Sequence, residues 1–223
     1  MRPSFLQVLV LGGLLVLSAC TSQKRHSAPV SVSFQPTELK ALTIQEKITR
    51  ADEVMLAYSL SVLDENNQLT STQNGIWGVQ RVQKDDQFTN FQGLSLSVPP
   101  KSKVVATVVL MEIDDYSRAQ KFVGEIRKYT GVAGAVAGFF QVTELTNPVG
   151  YFLLSLQAAG LVLNQSRWID PDDLLGADTK TYTYDELQKG LPVTITPLKF
   201  SNHSRLDRYE YRLQTRWSIQ KTR

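Results

Sequence analysis

Apolar and polar residues alternate along much of this chain with a period of two, the signature of strands with one face buried. Leu39–Ile44 alternates loosely and opens the expected folded part. Val54–Val62 (VMLAYSLSV) reads as a strand that ends in the turn-rich Asp64-Glu65-Asn66-Asn67. Ile76–Val82 is a shorter one, followed by a turn at Asp85-Asp86. Leu94–Val98 alternates strictly before Pro99-Pro100, and Val104–Ile113 (VVATVVLMEI) is an almost unbroken apolar run that predicts a central strand buried on both faces. Further strands are expected at Thr179–Tyr184, Val193–Thr196 and Tyr209–Ile219. The last sets Tyr209, Tyr211, Leu213, Thr215, Trp217 and Ile219 against polar neighbours.

The period changes after Ile113. Tyr116, Ala119, Phe122, Val123, Ile126 and Tyr129 recur at three- and four-residue intervals, which predicts an amphipathic helix. Residues 131–163 follow with Glu144 as their only charge, and Asn147-Pro148 splits them into two apolar halves. Each half is shorter than the roughly 20 residues a membrane-spanning helix needs. The expected architecture is mainly β: an antiparallel β-sandwich with a helical insertion between two strands at about 116–168. Gly134 and Gly138 have the small-x-x-x-small spacing that lets helices approach closely, and Phe139-Phe140 follow. One reading packs this segment on the sandwich as a helical hairpin. The other exposes Gly134, Gly138, Phe139 and Phe140 to a partner or a bilayer.

Composition narrows the field. The chain has 223 residues, one Cys, two His, and 24 Lys+Arg against 21 Asp+Glu. One Cys excludes a disulfide framework and a cysteine-based zinc site. Weak net charge argues against a nucleic-acid partner. No nucleophile elbow, phosphate loop, dinucleotide-binding glycine motif or zinc-protease motif occurs, so a non-enzymatic protein without a required cofactor or small-molecule substrate is expected. His203 reads as a solvated turn residue, and Trp77, Trp168 and Trp217 as packing residues before sugar ligands.

The first twenty residues carry an address. Arg2 precedes the apolar run Phe5–Leu17, which suits a signal-peptide core. Leu17-Ser18-Ala19-Cys20 resembles the lipobox of bacterial lipoproteins. That resemblance implies cleavage before Cys20 and acyl chains on Cys20, which together anchor a protein stably. It divides the chain into a signal peptide 1–19, an acylated Cys and flexible tether 20–36, and a sandwich domain 37–223. Thr21-Ser22, with no Asp beside the Cys, resembles lipoproteins passed on to the outer membrane of a Gram-negative cell.

A second resemblance lies in the body. Asp172-Asp173-Leu174-Leu175-Gly176-Ala177, then Thr181–Leu187, Gly190 and Pro197-Leu198, resemble the late part of C-two domains, the calcium- and phospholipid-binding sandwiches of the protein kinase C type. Val108–Asp114 stands where the family has an apolar strand ending in acids, and Ala51–Leu56 where it has its first loop. The resemblance implies a calcium site from Asp52, Glu112, Asp114 and Asp173. Two features depart from the pattern: Glu stands at 112, and no second first-loop Asp occurs near residue 46. The alternative makes these acids solvated turn residues. The function these signs imply is a membrane-anchored envelope lipoprotein, a binding or scaffold module for a protein or lipid partner. The rivals are an envelope hydrolase using carboxylates at the loop end and a component of a secretion or assembly machine.

Overall fold

Val30, Val32 and Phe34 point inward from strand β1 (Val30–Thr43), and so do Leu39 and Ala41. The inward parity therefore switches from even to odd numbers. A register shift between Pro36 and Glu38 makes the switch, because one extra residue turns every later side chain over. Pro36 has no N–H for the ladder and suits that irregular position. The tether expected over 20–36 is thus corrected: residues 30–36 belong to the sandwich. Their alternation with serines and the following proline reads as linker when the partner strand is not in view.

The computed structural model describes residues 28–45, 50–113, 123–124, 134–135, 154, 174–190, 193–204 and 208–221. After β1 come β2 (Asp52–Leu63), β3 (Leu69–Val82), β4 (Gln87–Phe88), β5 (Leu94–Val98), β6 (Lys103–Glu112) and β7 (Gly134–Ala135). They are followed by β8 (Leu174–Thr183), helix α1 (Tyr184–Lys189), β9 (Thr194–His203) and β10 (Arg208–Lys221). Among these residues the strands form two five-stranded antiparallel sheets. Sheet one runs β4-β1-β10-β9, with β5 also on β1; sheet two runs β7-β3-β2-β6-β8. The expected antiparallel β-sandwich is what the chain forms.

The core lies between the sheets. Val54, Leu56, Tyr58, Leu60 and Val62 of β2, with Val104, Ala106, Val108 and Leu110 of β6, meet the inward residues of β1 and β10. Trp217 sits edge-on to Phe34 and to Tyr182, each with ring centroids 5.0 Å apart, and so joins both sheets. Two glycines make room for rings. A Cβ on Gly75 would lie 2.3 Å from the Tyr58 ring, and one on Gly176 2.3 Å from Phe200. Gly176 therefore lets β8 of sheet two approach β9 of sheet one.

β2 and β6 are buried on both faces, as the unbroken apolar run of β6 predicts. The outer face of sheet two carries a polar row. Asn74, Ser59, Thr107 and Thr179 are successive cross-strand neighbours on β3, β2, β6 and β8. One register step away, the Ser61 and Thr72 hydroxyls lie 2.9 Å apart. Among the described residues Ser59 Oγ is buried without a hydrogen-bond partner.

The helical insertion falls mainly outside the described residues. Val123-Gly124 and Leu154 are helical. Gly134 is a correction: with Ala135 it forms a strand, pairing with Thr72 and Ser71. Glycine disfavours helix, and the edge of β3 offers free ladder groups.

Tyr58 sends its hydroxyl to the Gln92 carbonyl at 2.8 Å, from sheet two to the chain that leads into β5. Burial pushes its phenol up to about 12. A raised folded-state value adds stability that is complete below the ordinary phenol value of about 10 and is lost as pH rises through about 12. Chemical denaturation is expected to show falling stability across that alkaline window, with a shallower fall in Tyr58→Phe. An unchanged slope in Tyr58→Phe would show that this phenol does not contribute. Ser59→Ala is expected to leave stability unchanged or raise it by up to about 1 kcal/mol, because it removes an unpaired buried hydroxyl. A loss of about 2 kcal/mol would show that the hydroxyl has a partner.

Candidate functional site

Asp52 opens β2 at one end of the sandwich and is fully buried. Its Oδ2 accepts the Tyr211 O–H at 2.6 Å and the Gln45 backbone N–H at 2.8 Å. Tyr211 comes from β10, whose odd residues face the core, so the contact ties sheet one to sheet two. Burial first, then the hydrogen bond to Asp52, then the charges of Asp52 and Glu112, hold the Tyr211 phenol far above its ordinary range. It therefore stays protonated and acts as a donor. Short O–H···O⁻ bonds of this kind are stronger than neutral ones.

Glu112 closes β6 opposite Val54, and the Ile113 N–H donates to the Glu53 carbonyl at 2.8 Å. The structure thus brings Asp52 and Glu112 to one end of the sandwich, with Asp85 and Asp86 in the turn after β3. Asp52 is not a solvated turn residue: its carboxylate closes the sandwich. Asp114 and Asp173 of the expected calcium set lie outside the described residues, as do Cys20, Gly138, Phe139 and Phe140. Among the described residues no three His, Cys, Asp or Glu side chains group as a metal site. Calcium takes six to eight oxygens, and two of the four expected ligands are described here. Among the described residues no helix is long and apolar enough to cross a membrane.

The other end carries a cleft that sequence reasoning missed. Asp64, Glu65, Lys101, Lys103, Tyr184 and Asp185 are among the residues lining an open space of about 310 Å³. The segments are far apart in sequence, and the one local sign is the turn-rich Asp64–Asn67. Asp64 Oδ1 accepts the Asn66 and Gln68 N–H groups, which shapes that turn. Lys101 and Glu65 pair at 3.0 Å, but both are well exposed and the pair adds little stability. Helix α1 borders the cleft. Thr183 caps it: its hydroxyl accepts the Glu186 N–H, and the Glu186 carboxylate accepts the Thr183 N–H. The Thr183 N–H and, second, its O–H donate to the exposed Glu186 carboxylate and hold it below its ordinary value. Leu187 is buried and pins the helix to the core.

Of the three tryptophans expected to pack, Trp168 lies outside the described residues. Trp217 is core, and Trp77 packs against Phe88 and Phe91, with centroids 4.6 and 5.6 Å away. His203 ends β9 and is exposed.

Neither a protein-family profile nor a curated protein sequence matches the chain. Among solved structures, the chain is similar to the first (A) C-two domain of plant extended synaptotagmin 1, at 10% identity and a TM-score of 0.36, over 87% of this chain and 98% of that one. It is also similar to human GIVD cytosolic phospholipase A2, at 9% identity and a TM-score of 0.37, over 88% of this chain but 18% of that one. Likeness at this level carries neither a family nor a function to the chain.

Replacing Tyr211 by Phe removes one donor from a buried carboxylate. The variant is expected to lose about 2–3 kcal/mol in equilibrium denaturation, since hydrogen bonds to charged groups contribute that much. A cost below about 0.5 kcal/mol would mean that water reaches Asp52 and replaces the donor.

Proposed function

We propose that this protein is a bacterial envelope lipoprotein whose C-two-like β-sandwich body serves, without catalysis, as a binding or scaffold module for a partner. The observation that carries the reading is Leu17-Ser18-Ala19-Cys20 at the end of an apolar run headed by Arg2. Acyl chains on Cys20 hold the protein to one membrane, the outer membrane facing the periplasm in a Gram-negative cell. The body presents its loops from there. The sandwich supports this role because its two sheets form a rigid platform and place the connecting loops at its ends. Its stability is proposed to need no calcium. Asp52, fully buried, is engaged by Tyr211 and the Gln45 amide.

Two measurements test this. The intact mass of the membrane-extracted protein is expected to show loss of residues 1–19 and the addition of acyl chains, both absent in Cys20→Ser. An unmodified Cys20 would remove the anchor and the reading with it. Thermal melts of the unacylated body in millimolar calcium and in chelator are expected to coincide. A site occupied at one hundred times its dissociation constant would add about 2.7 kcal/mol to the folded state. A rise of several degrees in calcium, lost in Asp173→Asn, would make the module calcium-dependent.

A further inference from the structure

The outer face of sheet one gathers cations, although the whole chain carries a net charge of only +3. Arg208, Glu210, Arg212, Gln214 and Arg216 of β10 alternate with the inward Tyr209, Tyr211, Leu213 and Thr215, so they line that face. Lys199 of β9 pairs with Arg212, and Arg212 pairs with Lys40 of β1. Three cations thus share one cross-strand row, on strands about 4.8 Å apart. Arg208 and Arg216 stand four residues to either side of Arg212, about 13 Å along β10, and both are exposed. Among the described residues, the acids on this face are Glu38 and Glu210. Gln87 donates to Glu38 at 3.0 Å, and Lys199 and Arg212 each lie 3.2 Å from Glu210.

Like charges directly opposite one another on neighbouring strands destabilise a sheet. Glu210 offsets the repulsion between Lys199 and Arg212, and Lys199 first, then Arg212, hold its carboxyl below the ordinary value. Among the described residues Lys40 has no ion-pair partner. A row that repels itself favours a further anion.

The shape of the face selects a linear anion over a flat one. Neighbouring strands turn by about 20–25°, so sheet one twists by about 60–75° along β4-β1-β10-β9. A planar bilayer meets such a face along one line, whereas a linear chain can follow β10 and meet Arg208, Arg212 and Arg216 in turn. The aromatic rings of β10 point to the core, which leaves no stacking platform for bases along that strand. Gln214 and Ser218, on either side of Arg216, can hydrogen-bond hydroxyl groups. Exposed Ile195, paired with Arg216, offers an apolar contact to the C–H face of a sugar ring.

From this arrangement we infer that the outer face of sheet one binds a linear acidic polysaccharide along β10, with its anionic groups on the arginines. The inference rests on the reading of the body as a binding module and gives the partner a chemistry; it does not need acylation of Cys20.

The test measures binding of heparin, a linear sulfated and carboxylated polysaccharide, to the full chain in non-ionic detergent at low salt. Binding is expected, with none to neutral dextran of the same length, and it is expected to weaken as salt screens the charges. Arg208→Gln, Arg212→Gln and Arg216→Gln together are expected to weaken it about tenfold or more, as the loss of three exposed ion pairs would. Arg81→Gln, Lys84→Gln and Lys101→Gln together remove three exposed cations elsewhere and are expected to leave it nearly unchanged. Glu210→Gln frees Lys199 and Arg212 and is expected to tighten binding, which a misfolded variant would not do. Absence of heparin binding would overturn the inference whatever the state of Cys20. Equal losses in the two triple variants, or no gain in Glu210→Gln, would overturn the assignment to this face. Tighter binding to anionic phospholipid vesicles or to single-stranded DNA than to heparin, at equal charge concentration, would overturn the polysaccharide in favour of a membrane or a nucleic acid.

Discussion

A tyrosine buried between two sheets brings its hydroxyl with it, and that hydroxyl must find an acceptor. The position of one sheet over the other depends here on three such hydroxyls. Tyr211 reaches from β10 to Asp52 of β2, and Tyr209 reaches from β10 to the Leu175 carbonyl of β8 at 2.8 Å. Tyr58 reaches the other way, from β2 to the Gln92 carbonyl. Apolar contacts tolerate small slides because dispersion is undirected. A hydrogen bond weakens steeply with distance and angle. Sliding the sheets by one residue would strand all three hydroxyls and leave the Asp52 carboxylate short of a donor, so they select one alignment among the many that would bury similar apolar area.

That alignment determines what each end of the molecule can do. At the Asp52 end, the carboxylate that looks most like a ligand in sequence is taken up by closing the sandwich. At the other end, β1 begins, helix α1 packs through Leu187, and two charged turns border an open cleft. The first described residues enter the sandwich there, through Ala28 and the start of β1.

Much of this architecture is legible in sequence, for a definite reason. β5, β6 and β10 announce themselves because their alternation, or its absence, directly reports which faces are buried. The same pattern makes β1 and β3 too short. In β1, the Pro36 irregularity reverses the inward parity halfway along. In β3, the early residues Leu69–Asn74 look polar because Thr72 and Asn74 belong to a hydroxyl and amide row on a covered outer face. Polar residues buried in neighbouring strands support one another, and no single strand shows that. The acidic stretch before Leu174 reads as a loop leading to a strand that begins at Thr179, yet β8 starts at Leu174 itself.

The candidate site divides in the same way. By itself the sequence determined the period-two pattern, hence an antiparallel sandwich, because burial of alternate side chains is a local property of the strand. The resemblance of Leu17-Ser18-Ala19-Cys20 to a lipobox, on which the proposed anchor rests, is likewise read from contiguous residues. Only the tertiary structure decided that Asp52 is a closure residue and that it lies at the end away from Ala28. Asp52 and Tyr211 are 159 residues apart in sequence. A carboxylate's role follows from which donors surround it and how much water remains, and those are properties of the assembled sheets.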